Sequence, residues 1–278
     1  MVLMGCSLVS VSRAADPLEP GADRNAVPHG FNDWKPAIAI DATRQGPPIS
    51  PYIYGQFIEH LGRCIYGGIW AEMLEDRKFY HPITPAYAPY AAADAAQQLP
   101  VVAASPWQIM GEPDGVTMVG EDPFVGAHSP RIRAGSGICQ HDLALVQGQK
   151  YVGYVWTRAA GDDAGVVRVA LTGADGVWSF PCAGDQYTRQ AFEFLAREST
   201  AHASLSIAVE QHPCFVGTVS LMPADHVQGM RADTMAVLRQ LNAPVYRWPG
   251  GNFVSGYDWK DGIGDRDRRP PRKNPAWT

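Results

Sequence analysis

The stretch Pro244-Val-Tyr-Arg-Trp-Pro-Gly-Gly-Asn252 decides how the rest of the chain is read. A short apolar run, Val245 and Tyr246, carries the charged Arg247 and stops at Pro249-Gly250-Gly251. Such a run reads as a strand that hands a polar side chain to a sharply bending loop. A guanidinium buried at a strand end requires an anionic or hydroxylated partner, either a carboxylate of this protein or a ligand. Just upstream, Met230, Thr234, Val237, Leu238 and Leu241 recur at helical spacing, and Asn242-Ala243-Pro244 stops the helix. Helix, tight turn and strand make the second half of a β-α-β unit. Its first strand is Ile53-Tyr-Gly-Gln-Phe-Ile58, which ends in Glu59. Near-continuous apolar runs of this kind suit a parallel sheet covered on both faces. In an α/β barrel the C-terminal strand ends share the face where chemistry sits, so Glu59 and Arg247 become neighbours there. Taken alone, Glu59 reads as the partner of Arg63 or another surface base; the joint reading is the stronger one.

Between the two strands the texture changes. Residues 83–104 are rich in Pro, Ala and Tyr and read as a linker. Residues 105–222 carry short period-two runs separated by Gly and Asp turns: Val116–Val119, Arg131–Arg133, Gly137–Cys139, Tyr151–Thr157, Val166–Leu171, Tyr187–Phe194, Ala203–Val209 and Cys214–Leu221. Regular short strands without helical periodicity predict an antiparallel β-sandwich, a jelly roll or another two-sheet topology. Trp107, Tyr154, Trp156, Trp178 and Tyr187 are aromatics that either stack on sugars or fill the sandwich core. Trp156, mid-strand, is expected in the core, and Trp178, beside a Gly turn, suits either role. Glu72, Glu75 and Asp76 belong to the Trp70–Arg77 segment, read as a short helix or turn, and are expected at the solvent face.

The whole chain has 278 residues, 46% hydrophobic and 18% charged, which places it among folded proteins with ample core. The formal charge of −5 and the lack of a basic stripe argue against a nucleic-acid partner. The basic cluster Arg266 to Lys273 is interrupted by Asp267, Pro270 and Pro271 and reads as a loop. The five cysteines, Cys6, Cys64, Cys139, Cys182 and Cys214, include no CxxC pair, so neither a metal site nor a disulfide framework is indicated. No cofactor motif is present, and no stretch approaches membrane-spanning length. Residues 1–34 read as a leader with the remnant of a signal peptide ending near Ala14 or Ala15. The expected location is therefore secreted or periplasmic, with a mis-set start and a cytoplasmic protein as the alternative.

Four segments resemble a known family. Tyr54-Gly-Gln-Phe-Ile-Glu-His-Leu-Gly62, Gly68-Ile-Trp-Ala-Glu-Met and Arg247-Trp-Pro-Gly-Gly-Asn-Phe are similar to glycoside hydrolase family 51, mainly α-L-arabinofuranosidases, as is Trp259-Lys-Asp-Gly-Ile-Gly264. The sandwich resembles the carbohydrate-binding-module-like insert of larger members. The resemblance implies an incomplete (β/α)8 TIM barrel with an inserted antiparallel β-sandwich. Residues 35–82 then hold an N-terminal strand (Ala37–Ile40) and the first barrel strand, and residues 223–278 the first helix and second strand. It also implies retaining hydrolysis of terminal arabinofuranosyl groups on arabinan or arabinoxylan, no cofactor, and a full-length protein that is a homo-oligomer. Glu59 is implied to hydrogen-bond arabinose hydroxyls, Arg247 to support the site beneath the sugar, and Asn252 to contact the sugar where close relatives often carry Cys.

Retaining glycosidases use two carboxylates about 5–5.5 Å apart. In this family the acid/base Glu follows an Asn, and no Asn-Glu pair occurs in these residues. The chain is therefore expected to be an N-terminal fragment that lacks both catalytic Glu residues, binds an arabinose-containing plant polysaccharide and is inactive alone. A non-catalytic glycan-binding product and a family 51 endoglucanase are the competing readings. In isolation the fragment is expected to aggregate or to be folded only in the sandwich.

Overall fold

The computed structural model describes residues 41, 43–90 and 102–273. The chain divides into two compact units, Met1–Ile53 and Tyr54–Thr278. The leader and the expected Ala37–Ile40 strand lie outside the described residues. All twelve strands described belong to the second unit.

Ten of these strands form the sandwich. They are β2 (Gln108–Met110), β3 (Val116–Val119), β4 (Ser129–Ile132), β5 (Ser136–Leu145), β6 (Lys150–Ala159), β7 (Gly165–Leu171), β8 (Val177–Cys182), β9 (Thr188–Leu195), β10 (Thr200–Glu210) and β11 (Cys214–Pro223). Two five-stranded sheets result, with orders β2-β5-β10-β7-β8 and β3-β4-β11-β6-β9, and every pairing within them is antiparallel. Alternation does the work expected of it. In β7, Val167 and Val169 are fully buried while Arg168 between them is exposed and pairs with Glu210. From the facing sheet Val155, Val216, Val219 and Leu221 close the same core, as Leu205 and Ile207 do from β10. Side chains that alternate in and out of two stacked sheets give a continuous apolar layer between them.

The core extends beyond the sandwich strands. Leu74, Phe79 and Ile83 belong to it, and Phe79 packs against the buried Trp107. The segment preceding the expected linker, together with the linker's first residue, is thus docked on the sandwich. Met73 N donates to Leu221 O and Val219 N to Arg77 O, so the segment borrows backbone partners from β11.

The remaining two strands, β1 (Gln56–Phe57) and β12 (Tyr246–Arg247), pair in parallel, Gln56 opposite Tyr246 and Phe57 opposite Arg247. Helix α1 (Ala232–Leu241) precedes β12. It ends at Asn242 in the left-handed region (φ 46°), with the Asn242 N–H returning to Arg239 O, a turn Asn tolerates well. The expected strand Ile53–Ile58 is shorter than its apolar run, because hydrogen bonds to one neighbour span only Gln56–Ile58. None of the α1 residues is fully buried, and Val237 is 63% exposed. At the other end of the helix, Arg231 N donates to Ile69 O and Thr234 Oγ1 to Gly68 O, which seats its first turn on the Gly68–Trp70 segment.

Candidate functional site

The loops leaving β1 and β12 meet. Ile58 N donates to Arg247 O at 2.8 Å, which carries the parallel ladder one step past the strands. The Trp248–Pro249 peptide is cis, and the chain then turns through Gly250 at φ 112° into the short helix α2 (Asn252–Ser255). Glu59, half-buried, accepts a hydrogen bond from Gly251 N at 3.0 Å through Oε1. A Cβ on Gly250 would stand 2.3 Å from Glu59 Cγ, so only glycine lets the loop come this close at that backbone angle. His60 stacks on the buried Phe253 ring (centroids 4.1 Å, 10° between planes) and meets Trp248 edge-on. Burial lowers the His60 pKa, which favours the neutral ring in this stack.

The three residues singled out in the sequence sit on these two loops. Glu59 and Arg247 do lie at the C-terminal ends of adjacent parallel strands. Arg247 departs from expectation in one respect: it is exposed, not buried. Its guanidinium rests over the Phe57 ring, 5.1 Å from the centroid, and it forms no ion pair among the described residues. Solvent removes the need for an anionic partner, and the cation–π contact fixes the side chain over its strand neighbour. Glu59 likewise forms no ion pair among the described residues, so the pairing with Arg63 does not occur. Asn252 is exposed at the start of α2. Chemically the arrangement offers one carboxylate with an oxygen free of the loop bond, one guanidinium and one carboxamide. It is suited to hydrogen-bonding hydroxyls.

A second polar constellation escaped the sequence reading. Glu72, expected at the solvent face, is buried: its side chain is 5% exposed. It accepts from Ser220 Oγ at 2.6 Å and Leu221 N at 2.9 Å, and lies 3.2 Å from Arg77 Nε. Arg77 Nη2 in turn donates to Asp267 Oδ1 (2.7 Å) and Tyr154 Oη (2.8 Å), and Nε donates to Val219 O. Tyr154 Oη and Trp156 Nε1 both donate to Asp267. Burial raises the Glu72 pKa, against the pull of Arg77. Burial also opposes the charge on Asp267, but the bonds from Arg77, Tyr154 and Trp156 outweigh it and hold that pKa down. The network ties the segment around Arg77, the sandwich and the Asp265–Arg269 loop together. Lys78 adds to it by donating to Arg266 O and Arg269 O. The basic cluster is thus a loop, as expected, and a docked one.

The network also places the sandwich aromatics. Trp107 is in the core, while Trp156 lies outside it, half-buried beneath Phe124 and the Asp267 carboxylate. Tyr154 is buried by Arg77 and Asp267, and Tyr187 packs on Phe124 and Arg158. Of the five, Trp178 presents the most open ring, 38% exposed. It borders a groove of about 380 Å³ with Lys150, Asp175 and Glu193, its indole N–H held by Glu193 O.

Comparison with known proteins shows what the chain is similar to. No family model matches the chain. It is 47% identical over 55 residues to a probable α-L-arabinofuranosidase C of Aspergillus terreus, covering 20% of this chain and 11% of that protein. An exo-α-(1→6)-L-arabinofuranosidase of Bifidobacterium longum is 49% identical over 55 residues, 20% of this chain and 10% of its own. Among solved structures, the arabinose-bound MgGH51 α-L-arabinofuranosidase superposes with a TM-score of 0.61 at 18% identity, over 80% of this chain and 39% of that one. A stretch of 55 residues is thus similar to curated arabinofuranosidases, and the fold is similar to that of a solved one. The aligned region spans about a tenth of the curated relatives and two fifths of the solved arabinofuranosidase. The likeness in fold to the latter takes in four fifths of this mostly-β chain.

Proposed function

We propose that this chain supplies the arabinose-binding strand ends of a retaining α-L-arabinofuranosidase acting on terminal arabinofuranosyl groups of arabinan or arabinoxylan. β1, α1 and β12 are then the opening strand, helix and strand of a (β/α)8 barrel. The observation that carries the reading is the parallel β1–β12 pairing, which sets Glu59 and Arg247 side by side on one rim. The similarity of 55 residues to arabinofuranosidases supports an arabinofuranosyl substrate. Glu59 accepts bonds from sugar hydroxyls with the carboxylate oxygen not engaged by Gly251, Arg247 lies under the ring, and Asn252 reaches a further hydroxyl.

Glu59 does not take over the chemistry. A general acid needs a second carboxylate across the sugar, and Gly251 already holds one Glu59 oxygen. The two reacting carboxylates are therefore supplied from outside these 278 residues. The test is hydrolysis of p-nitrophenyl α-L-arabinofuranoside by the 278-residue chain, alongside saturation-transfer NMR with L-arabinose. No turnover together with a sugar signal lost in Glu59→Ala is expected. Turnover by the chain itself, or a sugar signal indifferent to Glu59, would overturn the assignment. A β-glucan fragment that competes better than L-arabinose would favour an endoglucanase instead.

A further inference from the structure

Two cysteines with no part in the sugar site face each other across the sandwich. Cys182 closes β8, an edge strand of one sheet, and Cys214 opens β11, an interior strand of the other. Both are buried, at 1% and 0% exposure. Gly165 links them geometrically. It pairs directly with Cys182 in the β7–β8 ladder. A Cβ placed on it would stand 2.6 Å from Cys214 Sγ. The Cys214 sulfur therefore crosses the space between the sheets and occupies the volume that a side chain at 165 would fill, beside the strand partner of Gly165. Any larger residue at 165 would meet that sulfur and, at 2.3 Å, the His212 carbonyl.

Cys214 Sγ donates to His212 O at 3.5 Å, and the neighbouring Cys182 together with burial raises the Cys214 pKa. Thr157 Oγ1, from β6, has no hydrogen-bond partner among the described residues. Two polarisable groups have thus been brought together in an otherwise apolar layer.

We propose that Cys182 and Cys214 form a disulfide that staples the two sheets of the sandwich. The proposal is independent of the glycosidase reading and rests on the placement of the two side chains alone. The oxidant is a small-molecule or protein disulfide such as oxidised glutathione. One cysteine thiolate attacks it, releasing one thiol and leaving a mixed disulfide. The second cysteine then attacks that bond and releases the other thiol. Two electrons pass from the cysteine pair to the oxidant, and the two thiol protons end on the released thiols. Because neither sulfur is accessible in the folded sandwich, exchange happens during folding or when β8 opens. β8 is suited to opening: it pairs only with β7, and most of its residues are exposed. A link to β11 removes that freedom and shrinks the unfolded ensemble.

The test uses the full chain refolded with oxidised and reduced glutathione, or with a reductant alone. Each sample is denatured, alkylated and mapped by peptide mass spectrometry. After oxidation a linked pair of peptides containing Cys182 and Cys214, lighter by the hydrogens lost, is expected, with Cys64 and Cys139 alkylated. The oxidised chain should melt roughly 5–15 °C above the reduced one, a difference absent in Cys214→Ser. Full alkylation of both cysteines in an oxidised, folded sample, or a link to any other cysteine, would overturn the proposal. Mapping the unsubstituted chain keeps the test decisive even where Cys214→Ser does not fold.

Discussion

The sandwich and the β1–β12 pair draw on the same kinds of residue and meet opposite fates. Val167, Val169 and Ile207 are fully buried, whereas Phe57 is 59% exposed and Val237 on the accompanying helix 63%. The difference is partners, not apolarity. Each inward position of the sandwich is met by a residue of the facing sheet. Two parallel strands have two faces and two edges, and one helix covers little of them. The region that resembles an enzyme most closely in sequence is therefore the least consolidated part of the second unit. The region with the firmest packing carries none of the proposed sugar-binding residues.

Substitutions can break or sharpen this contrast. The largest effect is expected at the join between the regions: Arg77→Ala leaves Glu72 and Asp267 buried without their counter-charge and should cost about 3–5 kcal/mol in urea unfolding. A loss under about 1 kcal/mol would mean that water replaces the guanidinium freely. Next, Ile207→Ala should cost about 2–5 kcal/mol, against less than about 0.5 kcal/mol for Val237→Ala, both from the same unfolding curve. Equal costs would show that α1 has a partner in solution. Gly250→Ala should leave the sandwich transition where it is while speeding proteolysis between Arg247 and Tyr257. Its Cβ collides with Glu59 and its backbone angle suits only glycine.

A further effect is on pH dependence. Burial pushes the Asp76 carboxyl from an ordinary 3.8 up to about 7, against the bonds it accepts from His81 and Tyr80 N–H groups. The folded state then binds the Asp76 proton where the unfolded state has lost it. This contribution is fully present below about pH 4 and disappears as pH rises through 7. Melting temperature in Asp76→Asn should accordingly fall less between pH 5 and 8 than in the unsubstituted chain, and an identical slope would remove Asp76 from the account.

The sequence revealed the sandwich because period-two alternation is local. Val116–Val119 appears with the expected bounds, and Tyr151–Thr157 grows at both ends into β6. Two strands were not anticipated. β2 is only Gln108–Met110, and β8 carries Pro181, which argues against a strand unless it lies at an edge, where β8 does lie. The adjacency of Glu59 and Arg247 was legible because a strand-helix-strand pattern constrains its own geometry. The Glu72–Arg77–Asp267 network was not. Arg77 and Asp267 are 190 positions apart, and nothing in either neighbourhood names the other. The only local sign was Glu72 lying between Ala71 and the apolar Met73-Leu74, a position where a carboxylate facing solvent interrupts a buried run. Arg247 was misjudged for the opposite reason: its strand looks like a covered one, yet its cover is missing from the described sheet.

Hydrogen exchange read by mass spectrometry, on the intact chain at neutral pH, tests this two-region account most directly. The account predicts slow exchange across β5, β6, β7, β10 and β11 with fast exchange at Gln56–Ile58 and Tyr246–Arg247, and slowing of the latter when L-arabinose is added. Protection of the β1–β12 ladder equal to that of the sandwich in the free chain would contradict it.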